Sequence, residues 1–255
     1  MKILIQTTTS RFDGDWHAAT FSTLAKVLQN DGHTVVSRDR EPGEDGSDPV
    51  LSSLAESDFG QLWLMAADRG NALSPKDVRA ILRFRERGGG VLTAREHENY
   101  GTSILNLGTL GAVNHFKNFN PERGVRGRRR SRPQRDYRRI VALEPVHEVL
   151  RSANSPTGLV EFFPDHPNEG ALSVPGHVPY ARAIAASQGG PDGRTVNLAI
   201  AIENEPAEGG RPCGRAIAIS SIHQFTDPVW ALIEESGHLE AYKDYARNIA
   251  RWLQS

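Results

Sequence analysis

Short apolar runs alternate with amphipathic stretches along the first part of the chain. Runs at residues 2–6, 61–66 and 91–94 have the length and composition of buried strands, and residues 34–36 predict a further short strand. Residues 16–29 carry apolar side chains at helical spacing. Strands that alternate with helices on short connections predict a parallel sheet with helices on both faces.

A second helix is predicted to begin at Pro75. Ser74 can accept a hydrogen bond from the first turn, proline fits the first helical position, and Asp77 places an acid in that turn. The three glycines at residues 88–90 end this helix before the next predicted strand.

The regular pattern stops at residues 118–139, which hold few side chains that could enter a core. Nine arginines lie in this stretch, at positions 123, 126, 128, 129, 130, 132, 135, 138 and 139. We expect this Arg-rich segment to be an exposed insertion. Because no internal repeat is visible, the pattern predicts one domain over residues 1–255 rather than two.

Short apolar runs resume from residue 140. Later strands are predicted at residues 140–143, 181–186, 196–202 and 215–220. A helix is predicted near residues 145–151, and a longer amphipathic helix over about 239–253. The polar residues 204–214 predict a hairpin-like connection between the last two strands.

The composition excludes several classes of protein. With 30 Lys and Arg against 31 Asp and Glu, the net charge of -1 excludes a globally basic nucleic-acid binder. No run approaches the ~18 apolar residues of a membrane span, and the first residues lack the apolar stretch of a signal peptide. The single cysteine, Cys213, allows no internal disulfide, which agrees with a reducing compartment. We therefore expect a cytoplasmic protein without a membrane partner.

The Arg-rich segment could attract an anionic partner. Guanidinium groups at this density bind phosphates at low salt. Between residues 123 and 139, however, Tyr137 is the only aromatic side chain that could stack on a base, which argues against nucleic acid. A solvated loop remains one interpretation, and a lid or subunit contact that gathers an anionic ligand or an acidic partner surface remains another.

Ionisable residues follow the predicted strand at 91–94. The chain there reads Arg95, Glu96, His97, Glu98, Asn99, Tyr100, Gly101. In open α/β sheets, ligands bind outside the carboxyl ends of strands, and a bend between strand and helix can aim backbone N–H groups at an anion. The pattern therefore indicates a site at this bend, although a surface ion-pair cluster of Arg95, Glu96 and Glu98 would explain it too.

Three segments resemble the class I glutamine amidotransferase-like superfamily, and within it the trehalose-utilisation-like and uncharacterised proteins. They read TAREHENYG at residues 93–101, PDHPNEG at 164–170 and IHQF at 222–225. The resemblance covers residues 1–116 and 160–255 in outline. It implies a flavodoxin-like fold.

The resemblance also bears on the chemistry. True amidotransferases have a cysteine at the bend, and a later histidine, oriented by an acid two residues on, serves as the base. Here the motif places Arg95 at the nucleophile, His223 at the base and Phe225 at the acid. Thiol glutaminase chemistry is therefore not expected. Cys213 cannot replace the nucleophile, because it lies in a polar loop before the strand that leads to His223.

Histidines at the strand ends leave two chemistries open. His17, His97 and His223 follow different strands of one predicted sheet and could converge at its carboxyl edge. Three imidazoles, with His97, His223 and His115 as candidates, could hold a divalent metal such as Zn²⁺, which lowers the pKa of bound water to about 7. No H-E-x-x-H spacing supports that site, so a metal-free pair of histidine and glutamate is the alternative.

We therefore expect a hydrolase-type enzyme that acts on a small polar or anionic ligand. Its catalytic residues would be His223 as base or ligand, Glu96 or Glu98 as proton partner, and His97 as ligand or electrostatic stabiliser. Substrate would be bound by Arg95, His17, His166 and Asn99. The competing hypothesis is an amidotransferase-like domain that binds a ligand or partner and catalyses nothing. The sequence leaves the substrate and the oligomeric state open.

Overall fold

The fold was obtained as a computed structural model, which describes residues 1–10, 16–95, 99–115, 118–119, 139–163, 170–188 and 195–254. Most of the predicted Arg-rich insertion, residues 120–138, lies outside the described residues. Among the described helices, none has both the length and the apolar character needed to span a membrane.

Among the described residues, eight strands form one mixed sheet and two short strands form a second. In chain order the strands are β1 (Lys2–Ser10), β2 (Thr34–Arg40), β3 (Gln61–Ala66), β4 (Gly90–Arg95), β5 (Asn118–Phe119), β6 (Ile140–Ala142), β7 (Gly170–Ala171), β8 (Ala181–Ser187), β9 (Asn197–Ile202) and β10 (Ala216–Ile219). The large sheet has the order β2-β1-β3-β4-β10-β9-β8-β6, and β5 pairs with β7.

Six α-helices accompany the strands in the described part of the chain. They are α1 (Ser22–Asn30), α2 (Pro49–Ser52), α3 (Pro75–Glu86), α4 (Gly108–Val113), α5 (Asp227–Glu235) and α6 (Leu239–Trp252). Ser74 accepts a hydrogen bond from the Asp77 amide, and the Asp77 carboxylate accepts one from the Ser74 amide, so the predicted amino-terminal cap of α3 is present.

The large sheet is covered by helices on both faces. Ile3 and Ile5 of β1 pack into a core with α1, α5 and α6, whereas Leu4 packs into a second core with α2, α3 and α4. Because successive side chains of a strand point to opposite faces, a strand buried on both sides reads as a continuous apolar run. This is why β1, β3 and β4 could be predicted from composition alone.

The five parallel strands give the fold its class. Their order, β2-β1-β3-β4-β10, is the 2-1-3-4-5 order of flavodoxin-like folds. The flavodoxin-like α/β prediction is thereby confirmed. The prediction of a parallel sheet holds for these strands only, since β9, β8 and β6 continue the sheet in antiparallel pairs. Residues 203–215, which join β9 to β10, are all described and contain no helix that could cross a face of the sheet, and the two strands pair antiparallel.

Several predicted boundaries need correction. The first strand continues to Ser10, because the hydroxyl groups that follow its apolar run stay in the strand and find hydrogen-bond partners. The helix expected from residue 16 begins as a single 3₁₀ turn, Ala18–Phe21, and becomes α-helical at Ser22. The helix expected near 145–151 is only a 3₁₀ turn, Glu148–Leu150.

Candidate functional site

The carboxyl ends of β1, β3, β4 and β10 lie at one level of the sheet. Met65 of β3 pairs with Thr7 of β1 and with Ala94 of β4, and Ala94 pairs with Ile219 of β10. The segments that follow these residues therefore leave the sheet along a common edge, which we call the carboxyl edge. This is where ligands bind in open α/β sheets.

His223 lies at this edge in the 3₁₀ turn Ile222–Phe225, directly after β10. The Ser221 hydroxyl accepts a hydrogen bond from the His223 amide at 3.1 Å, which caps the turn. The imidazole meets the ring of Trp16 edge-on, with 4.8 Å between ring centroids and 77° between ring planes. The turn and the aromatic contact together hold the position of the His223 ring.

The contact between Trp16 and His223 joins segments that leave the sheet far apart. Trp16 follows β1, whereas His223 follows β10, and β3 and β4 lie between those strands. At the usual spacing of about 4.8 Å between strands, their ends are about 14 Å apart. The two rings therefore meet because the segments before α1 and α5 turn toward each other, rather than because their strands are neighbours.

Hydrogen bonds hold these two segments together. Asp227, the first residue of α5, accepts hydrogen bonds from the Ser22 hydroxyl and the Thr23 amide at the start of α1, both at 2.8 Å. The Thr9 hydroxyl donates to the Trp16 carbonyl at 2.8 Å. Asp227 thus caps the amino end of α1 from a neighbouring helix and fixes the approach of Trp16 to His223.

His17 lies next to Trp16 and faces a carboxylate that the sequence did not reveal as a site residue. Its Nδ1 is 4.0 Å from Oδ2 of Asp39, while Oδ1 of Asp39 accepts hydrogen bonds from the Thr7 hydroxyl at 2.9 Å and the Ala18 amide at 2.7 Å. Sequence reasoning missed Asp39 because it ended the second strand at Val36. The polar half of β2 carries no apolar periodicity that would distinguish it from a loop.

Arg95, at the place of the amidotransferase nucleophile, is almost completely buried at 2% exposure. Its Nε donates to the Tyr100 carbonyl at 2.8 Å, and a terminal nitrogen donates to the Asn114 carbonyl at 2.6 Å. The guanidinium therefore ties the chain after β4 to the residue after α4. A buried guanidinium that donates hydrogen bonds to the carbonyls of two segments holds the bend after β4 in place.

The end of β3 is closed by the chain's own hydrogen bonds. The Thr8 hydroxyl accepts from the amides of Ala67 at 3.0 Å and Asp68 at 3.3 Å. The buried Asp68 carboxylate accepts from the amides of Gly70 and Ser103 and from the Ser103 hydroxyl. In flavodoxin-like folds the strand order reverses between β1 and β3. At that point these two amides already have a partner, so they do not form an open cradle for an anion.

Of the other predicted site residues, the structure describes some and not others. Asn99 is exposed, and His115, also exposed, follows the Asn114 that binds Arg95. Glu96, His97, Glu98 and His166 lie outside the described residues. The structure therefore brings Trp16, with His17 beside it, to His223, and places His115 beside the bend after β4.

A metal site would need a cluster of ligating side chains. Within the described ranges, no three His, Cys, Asp or Glu side chains form a group that could hold a metal ion.

Cys213 lies before β10, at the opposite end of the strand from His223, and its amide donates to the Glu205 carbonyl. Burial raises the pKa of the Cys213 thiol. A thiol with a raised pKa is mostly protonated at neutral pH, and this lowers its reactivity as a nucleophile.

Comparisons with known proteins establish the fold. No family model matches the sequence. No curated protein matches it significantly. The solved structure described as the mmIFT52 N-terminal domain superposes with a TM-score of 0.59 at 14% identity, covering 100% of this chain and 98% of that one.

Two solved bacterial structures give similar results. The cytoplasmic protein STM3548 from Salmonella typhimurium matches with a TM-score of 0.55 at 12% identity, covering 99% of this chain and 98% of that one. The cytoplasmic protein STM1381 from Salmonella typhimurium LT2 has a TM-score of 0.50 at 12% identity, with coverage of 98% and 99%. At these identities the similarity shows a shared fold along the chain, and function has to be inferred from the site itself.

Proposed function

We propose that this chain is a hydrolase-type enzyme of the amidotransferase-like superfamily, in its trehalose-utilisation-like branch, and that it acts on a small polar substrate at the carboxyl edge. The observation that carries the proposal is the contact of Trp16 with His223 at 4.8 Å, which builds one site from the segments before α1 and α5. The shared flavodoxin-like fold supports the superfamily, and the three sequence segments that resemble it support the branch.

His223 is the general base in this proposal. Histidine is the side chain whose ordinary pKa lies closest to neutral pH, so it can take up a proton and return it in one reaction cycle. The ring is half-buried and packs against Trp16, which limits its movement. Part of the His223 residue stays exposed and could contact a ligand. The resemblance to amidotransferases places the base of that family at His223, which supports the assignment.

Arg95 acts through the bend in this proposal. Its hydrogen bonds to the carbonyls of Tyr100 and Asn114 fix Tyr100, which follows Asn99. Asn99 is proposed to bind substrate, Glu96 or Glu98 to be the proton partner of His223, and His97 to be a ligand or electrostatic stabiliser. His166, from the second resembling segment, is proposed as a further substrate ligand. A cytoplasmic location is proposed as well, on the single cysteine and the balanced charge.

A non-catalytic binding domain is the second candidate, and one observation favours it. At the position where the resemblance expects the nucleophile, this chain has a buried arginine whose guanidinium is hydrogen-bonded to backbone carbonyls, so thiol chemistry has no residue there to perform it. A domain that kept the site and lost the reaction would have this arrangement. The two candidates differ in whether the bound ligand is turned over.

A ligand screen with matched variants tests the proposal. Purified protein is analysed for metal content, and its melting temperature is measured with divalent cations, with EDTA, and with a panel of small amides, esters, carboxylates and sugars. A ligand at 100 times its Kd stabilises by about 2.7 kcal/mol, or roughly 5–10 °C for a chain of this size. The stabilising compounds are then assayed for hydrolysis.

The variants are His223→Asn and, as control, His177→Asn, an exposed histidine in the turn before β8. We expect the control to retain turnover and His223→Asn to lose at least 100-fold in kcat/KM. Unchanged turnover in a folded His223→Asn protein would contradict the base assignment. Binding without turnover in the wild type would favour the binding domain instead. A stoichiometric metal whose removal abolishes turnover would support the metal-assisted form of the chemistry.

A further inference from the structure

The Asp39 carboxylate uses its two oxygens differently. Oδ1 accepts hydrogen bonds from the Thr7 hydroxyl and the Ala18 amide. Oδ2 is directed to the imidazole of His17, at 4.0 Å from Nδ1. Because Thr7 belongs to β1 and Ala18 to the turn before α1, the two donors fix the carboxylate from both sides and determine which oxygen faces the ring.

The Nδ1 atom of His17 is shielded from solvent, although 38% of the His17 side chain is exposed. Within the part of the chain that the structure describes, no atom lies within hydrogen-bonding distance and geometry of Nδ1. The exposed surface of the side chain therefore belongs to its other atoms. Asp39 Oδ2 is the charged acceptor that faces the shielded nitrogen, at a distance that a small side-chain rotation would shorten to a hydrogen bond.

A neutral imidazole carries its proton on one of two nitrogens, and its surroundings decide which. An ionised carboxylate only accepts hydrogen bonds, so an unprotonated Nδ1 would direct its lone pair at a negative oxygen. A proton on Nδ1 turns this repulsion into attraction. The partner of one ring nitrogen thus determines the chemistry of the other.

From this geometry we infer that Asp39 is a positioning residue that keeps the proton of neutral His17 on Nδ1, so that Nε2 is the proton acceptor offered to the ligand. The inference rests on the proposed function, because it assigns His17 a second acid–base role in the same site. His17 follows Trp16 directly, and Trp16 contacts His223. Neutral His17 would then offer a second proton acceptor, one residue along the chain from the ring that contacts His223.

The tautomer of His17 can be measured without a substrate. Protein labelled with ¹⁵N-histidine is examined by long-range ¹H–¹⁵N correlation at a pH where His17 is neutral, and its signals are assigned by their loss in His17→Gln. In the wild type we expect Nδ1 at a protonated and Nε2 at an unprotonated chemical shift. The opposite pattern in the wild type would overturn the inference by itself, even if every Asp39 variant failed to fold.

Two variants separate positioning from packing. In Asp39→Asn, the amide oxygen can keep the donors Thr7 and Ala18, which turns the NH₂ group toward Nδ1 of His17. We expect the proton to move to Nε2, whereas a purely structural role of Asp39 would leave the tautomer unchanged. In the control Thr7→Val, one donor to Oδ1 is lost but the carboxylate remains, so the proton should stay on Nδ1.

The outcome is distinguishable from the test of the proposed function. An unchanged tautomer in a folded Asp39→Asn protein would exclude the positioning role while leaving His223 and its turnover assay untouched. Loss of turnover in His223→Asn, together with a His17 proton that moves to Nε2 in Asp39→Asn, would support both the base assignment and the positioning role. If the His17 proton moves to Nε2 in Asp39→Asn but the wild type turns over no ligand, Asp39 positions His17 in a binding domain.

Discussion

The ring of His223 and the ring of Trp16 meet edge-on at 4.8 Å, although two further strands separate β1 from β10 in the sheet. Edge-to-face geometry is a preferred arrangement of aromatic rings. Here it joins the first strand of the fold to the last one. The contact depends on how the amino ends of α1 and α5 are held together, and its strength can be tested through the residues that hold them.

Asp227 is the first such residue. Replacing it with alanine removes the acceptor for the Ser22 hydroxyl and the Thr23 amide, which leaves the amino end of α1 without its cap. We expect Asp227→Ala to lower the free energy of unfolding by about 1–2 kcal/mol. Urea unfolding of the purified variant measures this loss.

The exposed Glu234 near the carboxyl end of α5 provides the matched control for Asp227. Glu234→Ala should change the free energy of unfolding by less than about 0.5 kcal/mol. Equal effects of the two substitutions would mean that the carboxylate cap contributes nothing beyond an ordinary surface charge on α5.

Arg95 should matter for stability as well as for the site. In Arg95→Leu the carbonyls of Tyr100 and Asn114 lose a charged donor at a buried position. We expect a loss of about 2–4 kcal/mol in the free energy of unfolding, because a buried acceptor without a partner retains its desolvation penalty. Thermal and urea unfolding would measure it.

Arg69 offers the comparison for Arg95, because it is exposed and also contacts Tyr100, through the phenol hydroxyl at 3.2 Å. Arg69→Leu should cost less than about 1 kcal/mol. If Arg95→Leu were as stable as this control, the guanidinium would not be what holds the bend after β4.

His147 predicts an acid-dependent loss of stability. It is 4% exposed, its Nδ1 accepts a hydrogen bond from the Val149 amide at 3.3 Å, and its ring meets Trp252 edge-on. Burial, with smaller effects from Arg182 and Arg215, lowers the pKa of His147 to about 4 from its ordinary 6.5.

The sign of the effect follows from this pKa difference. Because the unfolded chain protonates His147 at higher pH than the folded chain does, its contribution is fully present above about pH 6.5 and is lost progressively as the pH falls toward 4. The loss amounts to about 3 kcal/mol. Urea unfolding at pH 7, 5.5 and 4 should show it, and His147→Gln should flatten the pH dependence. An equally steep profile in that variant would assign the acid sensitivity to other groups.

The elements with a strong local pattern could be predicted from the sequence. The apolar runs of β3 and β4, the cap formed by Ser74 and Asp77, and the polar hairpin before β10 each contain the physical signal of their structure within a few residues. A strand buried on both faces needs continuous apolar side chains, and a helix needs its first amides satisfied. The predictions of an α/β class and of His223 at a strand end therefore needed no knowledge of distant contacts, whereas the flavodoxin-like arrangement was implied by the family resemblance.

The candidate site was only partly accessible to the same reasoning. Asp39 lies in the polar half of β2, where no apolar repeat marks the strand, and its importance comes from hydrogen bonds to Thr7 and Ala18. Arg95 resembles a surface or ligand-binding residue by type, yet it is buried, and two backbone carbonyls accept hydrogen bonds from its guanidinium. Such partners are separated along the chain, and side-chain type alone does not identify them.

Local periodicity and the geometry of parallel strands predict the alternation of strands and helices, the two apolar faces of the sheet and the carboxyl edge. Three features became visible only in the folded chain: Trp16 reaches His223, Asp39 faces His17, and the sheet continues with antiparallel strands. These outcomes depend on hydrogen bonds and packing between residues far apart in the chain. Such contacts form only when distant segments come together in the folded chain, so no local sequence pattern predicts them.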